Sequence, residues 1–352
     1  MTAAAQAPDA RWRRVLAGLL LAVAGAGAAL VLHAPMPWLL GPLLLVAATR
    51  MAGLASACPP AMRQGGQWVI GTSLGLYFTP MVVAHIGVHA GFIVASSLFA
   101  VALAAMGTWM LMRLAGTDLS TAWFASAIGG ASEMANLAER HQARVDRVAS
   151  AHSLRILMVV VIVPFAYQWA GLSGLDPTIP GPREVRLPGL MALAACTCVA
   201  ALFMKRLKLT NPWVLGPLAV AAVLTANGIE WSALPGWLMN VGQLLIGWSL
   251  GDRYRPDFLH AAPRFMGAVA LYTGVSLALT AVLAWLLAAW ADIPWATLLL
   301  ATTPGGIAEM TLTARALALG VPIVTAFHVT RMIFVLLVTG PIHRWLTRAR
   351  SG

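Results

Sequence analysis

Two stretches of the chain set a carboxylate and a pair of glycines in otherwise apolar surroundings. Gly129-Gly130-Ala131-Ser132-Glu133-Met134 recurs as Gly305-Gly306-Ile307-Ala308-Glu309-Met310, and the same offset of 176 residues joins His152 to His328 and Arg155 to Arg331. Each copy therefore reads G-G-x-x-E-M, followed by H-x-x-R in the next hydrophobic segment. An ionisable group in hydrocarbon costs about 2.5–3.5 kcal/mol on insertion scales and is usually kept for a purpose. Glu133 and Glu309 can carry a proton through a cycle, ligate a cation, or only cap a helix start and pair with Arg155 or Arg331. His and Arg three residues apart share one helix face. The two arginines either hold an anionic group together with N–H groups freed at the glycine breaks, form structural ion pairs, or lie at the membrane interface. Ser132, Asn136, Thr302, Thr303, Thr311 and Thr313 surround the breaks, and such small polar residues serve ligands or simply join helices.

The elements that must hold these groups are membrane helices. Of the 352 residues, 60% are hydrophobic and 10% charged, with a mean hydropathy of +0.80. No soluble domain hides that much apolar surface. A formal charge of +11 sits in short clusters at the ends of apolar segments, as membrane orientation requires and nucleic-acid binding does not. Cys58, Cys196 and Cys198 have neither disulfide nor zinc spacing. His85 and His89 stand at i, i+4 without a third ligand nearby, so no metal site and no cofactor are expected.

The repeat extends beyond the opening motif. Pro37-Trp38-Leu39-Leu40-Gly41-Pro42-Leu43 matches Pro212-Trp213-Val214-Leu215-Gly216-Pro217-Leu218, and Ile70, Gly71, Ser73, Leu74 and Gly75 match Ile246, Gly247, Ser249, Leu250 and Gly251. Two membrane repeats are expected, 1–175 and 176–352, with a Pro- and Gly-rich linker over 173–188 and no soluble domain. Each holds six apolar segments: 14–32, 37–57, 65–82, 88–113, 119–138 and 150–171, then 187–204, 211–227, 236–251, 264–290, 295–317 and 321–343.

Counting Lys and Arg on each side selects a topology. Twelve crossings divide them almost evenly. Letting each fifth segment dip in and return leaves only Arg183, Arg186 and Arg315 outside, with Arg155 and Arg331 set aside as intramembrane. The expectation is an all-α polytopic membrane protein of two inverted-topology repeats, each with about five spanning helices plus one re-entrant or broken helix. Broken backbone at membrane depth is tolerated only when buried in protein or lining a wet cavity. Paired breaks meeting near the midplane are an architecture of secondary transporters.

The duplicated Pro-Trp-x-Leu-Gly-Pro-Leu and Gly-Gly-x-x-Glu-Met segments resemble the AbrB-type family of duplicated bacterial inner-membrane proteins, over nearly the whole chain. That resemblance implies labels such as ammonia monooxygenase or regulator of gene expression. An oxygenase needs clustered metal ligands, and the eight histidines are scattered. A direct regulator needs a DNA-reading element, and no module of that kind is present. The expected function is an ion- or proton-coupled secondary transporter of a small, charged solute, not an enzyme. The alternative is a membrane-embedded sensor or regulator that acts indirectly. The binding set is Gly129, Gly130, Ser132, Glu133, Asn136, His152, Arg155, Gly305, Gly306, Glu309, Thr311, His328 and Arg331. Expected partners are the solute or ion and anionic lipid against the basic stripe Arg140, Arg144 and Arg147. No nucleic acid is expected, a homo-oligomer is left open, and the N-terminus is placed in the cytoplasm.

Overall fold

The computed structural model describes residues 8–174, 180–182, 184–254, 256, 258 and 262–351. Arg183 and Arg255 of the charge count lie outside the described residues, as do residues 175–179 of the expected linker. Among the described residues all regular structure is helical: α1 Pro8–Val31, α2 Pro37–Met51, α3 Pro60–Gly75, α4 Pro80–Val88, α5 Ala90–Ala115, α6 Leu119–Ser126, α7 Ala131–Arg140, α8 Val145–Trp169, α9 Leu187–Arg206, α10 Pro212–Ala226, α11 Gly236–Gly251, α12 Pro263–Ala291, α13 Trp295–Thr302, α14 Ile307–Ala316 and α15 Val321–Ser351.

Six of these, α1, α5, α8, α9, α12 and α15, are long and apolar enough to cross a membrane, and the protein is a multi-pass membrane protein. The 15 residues of α2 and of α10 rise only about 22 Å, short of a hydrocarbon core of about 30 Å. Both begin with Pro at the first turn, where the missing N–H costs nothing, and both carry a second Pro inside, Pro42 and Pro217. The third apolar segment, expected as one helix over 65–82, is two: α3 ends at Gly75 and α4 starts at Pro80. Pro80 ends the continuity because a proline has no N–H to donate and restricts the residue before it. Thr79 then caps α4 by accepting from the Val82 N–H.

The offset seen in the sequence recurs in the backbone. Among the described residues, all the left-handed ones but Gly171 fall in pairs 175 or 176 apart: His33 with Lys208, Met36 with Asn211, Gly53 with Gly228, Gly116 with Asp292, and Gln142 with Ala318. Non-glycine residues pay to adopt that region, so its recurrence at equivalent positions marks the same turns built twice.

The described chain forms two compact units, and each draws on both halves: residues to Leu76 with Pro180–Phe258, and Tyr77–Ile179 with the residues from Leu259. The first unit holds α1–α3 and α9–α11. There α3 packs on α10 and α11 on α2, and the small residues of two Gly-x-x-x-Gly runs explain how. A Cβ on Gly71 would strike the Val214 carbonyl, and one on Gly247 would strike the Leu39 carbonyl, so the helix backbones approach closely, as small residues allow in membranes. Near its polar end Asp252 accepts from the Cys58 N–H at 3.0 Å and lies 3.5 Å from Arg50 Nε.

The second unit holds α4–α8 and α12–α15. Here α5 packs against α12 and α15, and α8 against α12, α6 and α7. Trp123, Phe124, Tyr272 and Phe327 are fully buried. Every residue of the expected binding set belongs to this unit.

Candidate functional site

The site is built from two interrupted helices. The eight residues of α6 end at Ser126, four residues run without helix, and α7 begins at Ala131; α13 ends at Thr302 and α14 begins at Ile307 after an equal gap. The two breaks share their backbone. Ala127 and Thr303, which close the first half-helices, have φ/ψ of −55/131 and −54/138, and Gly130 and Gly306, which open the second, have −66/134 and −82/157.

None of the four glycines takes a positive φ; they are there for space. A Cβ on Gly129 would lie 2.9 Å from Met134 Cε, and one on Gly305 would lie 2.5 Å from Met310 Cγ. A Cβ on Gly130 or Gly306 would collide with the carboxylate of Glu133 or Glu309. The motif is thus self-packed: its first glycine admits its methionine and its second admits its glutamate. Each carboxylate folds back over the start of its own helix, where the half-charge of the helix N-terminus attracts it.

The carbonyls at the end of a helix lack intrahelical donors and must find others when buried. Here the arginines supply them. Arg331 donates from Nη1 to the carbonyls of Thr303 at 2.6 Å and Thr302 at 3.5 Å, and from Nη2 to that of Gly305 at 2.6 Å. Arg155 donates from Nη1 to the Ser126 carbonyl at 3.4 Å, and from Nη2 to His152 Nδ1 at 2.9 Å. A guanidinium has no lone pair to offer, so Nδ1 is the acceptor and Nε2 carries the proton, which it gives to the Phe124 carbonyl at 2.9 Å. His152 is therefore neutral here. Both arginines are only 4% exposed, and these hydrogen bonds go to main-chain carbonyls and to His152. Each arginine neutralises the negative end of the half-helix before its break.

The remaining members of the expected set divide by copy. Ser132 and Asn136 are exposed and Glu133 is half-buried, whereas Glu309, Thr311 and Thr313 are buried. The Thr311 hydroxyl is spent on the carbonyls of Ile307 and Ala308, and Thr313 donates to Glu309 O at 2.8 Å. His328 is fully buried, its ring against the main chain of Val324 and Ala301. His85 and His89 stack edge to face at 4.7 Å, with no third ligand brought to them among the described residues.

Two site residues escape a reading of the motifs alone. The Tyr272 hydroxyl donates to the Ser126 carbonyl at 2.8 Å. The Ser126 hydroxyl bonds to the Ala104 carbonyl at 2.9 Å, as its counterpart Thr302 does to that of Thr280 at 3.4 Å. The repeat offset from Thr302 points to Ser126. For Tyr272 the available signal is its rarity, one of four tyrosines in the chain, inside a spanning segment. The repeats also grip each other reciprocally: Tyr167 Oη donates to the Ala296 carbonyl at 2.7 Å, and His343 Nε2 meets Ser120 Oγ at 2.9 Å, where 167 and 343, and 120 and 296, are equivalent positions.

These features define a polytopic helical membrane protein whose buried charges are gathered at two interrupted helices. A family profile described as "Transition state regulatory protein AbrB" matches residues 38–347, and the chain belongs to that family. It is 27% identical over 319 residues to "Putative regulator AbrB" of Escherichia coli strain K12, covering 89% of this chain and 90% of that one. It is also 27% identical over 305 residues to "Uncharacterized protein YhjN" of Bacillus subtilis strain 168, covering 80% and 77%. No solved structure matches it.

Proposed function

We propose that the protein is a secondary transporter of a small charged solute, coupled to protons or another ion, working by alternating access in a bacterial inner membrane with its N-terminus in the cytoplasm. The observation that carries this reading is the convergence, within one compact unit, of two helix breaks that each bring a buried arginine to the ends of interrupted helices. Interrupted helices leave backbone groups and dipole ends for solutes and coupling ions. The reciprocal contacts of Tyr167 and His343 support a two-fold relation between the repeats, and the charge count over an odd number of crossings supports its being inverted. Nothing in this chemistry calls for an enzyme.

A second reading is a membrane-embedded regulator that binds a solute without moving it, favoured by the word regulator in the name of the Escherichia coli relative. Purified protein in liposomes separates the two. Transport predicts uptake of at least one solute from a panel of labelled carboxylates, amines and inorganic ions, lost in Glu133→Gln or Glu309→Gln. Tight binding without flux would reject transport in favour of regulation. The topology has its own check: cysteines placed at Arg144 and at Asn227 should label from opposite faces, the first from the cytoplasm.

A further inference from the structure

Where the first interrupted helix meets α15, two histidines touch. The rings of His141, which closes α7, and of His343 lie 4.6 Å apart, edge to face, and both pack on the buried Phe124 ring of α6, at 5.5 and 4.9 Å. His343 Nε2 is 2.9 Å from Ser120 Oγ, whereas its Nδ1 is buried with no hydrogen-bond partner among the described residues. A neutral ring with its proton on Nε2 leaves only a lone pair unmet there, but a second ring proton buries a donor without an acceptor. The adjoining helix ends are basic. Asp118 is spent on capping α6 at the Thr121 N–H, and Arg147 is turned onto the Phe265 ring. That leaves Glu139 and Asp146 against Arg113, Arg140, Arg144 and Arg344. Of the other helices touching α15, α4 sets His85 beside Pro322 and Ile323 at the far end, and α14 carries Glu309 and Arg315 after the break held by Arg331. At 1.5 Å per residue, Arg331 is already about 18 Å from His343 along α15. The helix that His141 closes is also lightly held. Only Met134 and Ala138 of α7 are buried, whereas α14 is buried from Ile307 to Ala314. The second copy has Leu317, Leu300 and Tyr167 in place of His141, Phe124 and His343, and none of these titrates near neutrality.

We infer that His141 and His343 form a proton-operated latch on α7. With both rings neutral, their edge-to-face contact holds the end of α7 to α15, and the Ser120 hydrogen bond ties α15 to α6. Acidification through the ordinary imidazole range, around about pH 6.5, charges exposed rings. Two imidazoliums at this spacing repel, and the second N–H of His343 finds an acceptor only when water enters. The end of α7 then loosens from α15, and the Gly129–Gly130 turn at its other end loosens with it. The loosened state takes up more protons than the latched one, so acid favours it. The inference gives the proposed transporter a regulatory input. It rests on that reading only in placing this end in the cytoplasm, together with Arg144, whose N–H bonds to Thr121 Oγ one residue from Ser120.

The experiment is hydrogen–deuterium exchange of the full-length protein in neutral detergent, corrected for the intrinsic pH dependence of exchange. It compares the peptide 131–143 with its counterpart 307–319, an internal control in the same molecule. One extra proton bound on opening shifts the opening equilibrium about tenfold per pH unit. Between about pH 7.5 and about pH 5.5, protection of 131–143 should therefore fall about tenfold, and that of 307–319 should hold. The fall should shrink to about threefold or less in His141→Gln and in His343→Tyr, the latter placing there the residue of the other copy. No fall in 131–143, an equal fall in both peptides, or a full fall kept in His141→Gln overturns the proposal. Should His343→Tyr fail to fold, His141→Gln decides alone, since that ring is partly exposed. The rival trigger on α7 is Glu133, and a fall lost in Glu133→Gln assigns the effect to the carboxylate and overturns the latch. The readout needs neither solute nor bilayer. Absence of uptake in liposomes therefore rejects transport and leaves the latch standing, and a flat exchange profile does the reverse.

Discussion

The two breaks have the same backbone and opposite economies of charge. At the second, the arginine reaches in and closes three carbonyls, and the helix that follows is buried from Ile307 to Ala314. At the first, the arginine is turned toward its histidine, a tyrosine from α12 takes over the Ser126 carbonyl, and the helix that follows exposes Ser132 and Asn136. The duplicated motif therefore specifies a shape, a kinked chain packed on its own methionine and glutamate. The surroundings decide how the charges within it are spent. An asymmetric solute needs such inequality between copies.

Substitution of the arginines should sharpen that contrast most. Arg331→Ala takes the donor from the Thr302 and Gly305 carbonyls, while Thr303 keeps the Gly305 N–H, and at about 1–3 kcal/mol per unsatisfied buried group it should cost about 2–4 kcal/mol. Arg155→Ala leaves Ser126 still bonded to Tyr272 and should cost about 1–2 kcal/mol. The difference between their unfolding midpoints reports the hydrogen bonds that each arginine makes. Equal losses would mean that the two breaks are energetically alike.

The glycines come next. Gly305→Ala presses on Met310 Cγ, near the root of that side chain, whereas Gly129→Ala presses only on the mobile Met134 Cε. Overpacking of a tight site costs about 1–3 kcal/mol, expected in full for Gly305→Ala and below about 1 kcal/mol for Gly129→Ala. Tyr272→Phe, which removes one hydroxyl donor from the first break, should also cost only about 1 kcal/mol. Combined with Arg155→Ala it should cost more than the sum of the two single changes, because the Ser126 carbonyl then loses both donors. Simple additivity would show that the two do not share it.

Helix positions were legible because apolar runs and prolines speak directly to local structure. The breaks at 127–130 and 303–306 follow from glycine pairs that leave helix packing unfinished, and the same offset appears in the helix starts. The interruption at 76–79 was missed because Leu76, Tyr77 and Phe78 continue an apolar run, and only Pro80 signals the stop. Within the site, spacing placed His152 beside Arg155 and His328 beside Arg331, but it could not say what either arginine would hold. A carboxylate and a carbonyl at a helix end both satisfy a guanidinium. The choice depends on where a separate helix lies in space, and so does the role of Tyr272, more than 140 residues from Ser126 in the chain.

The drawing of each compact unit from both halves has a consequence for biosynthesis. When the first 175 residues have left the ribosome, the Trp123 indole has yet to meet the Thr339 carbonyl, and Ser126 still awaits Tyr272. The early helices must therefore wait in the bilayer, partly unsatisfied, until α12 and α15 are inserted. A chain stopped at mid-length should be a substrate for membrane quality control, and a ribosome pausing there would lengthen that exposure.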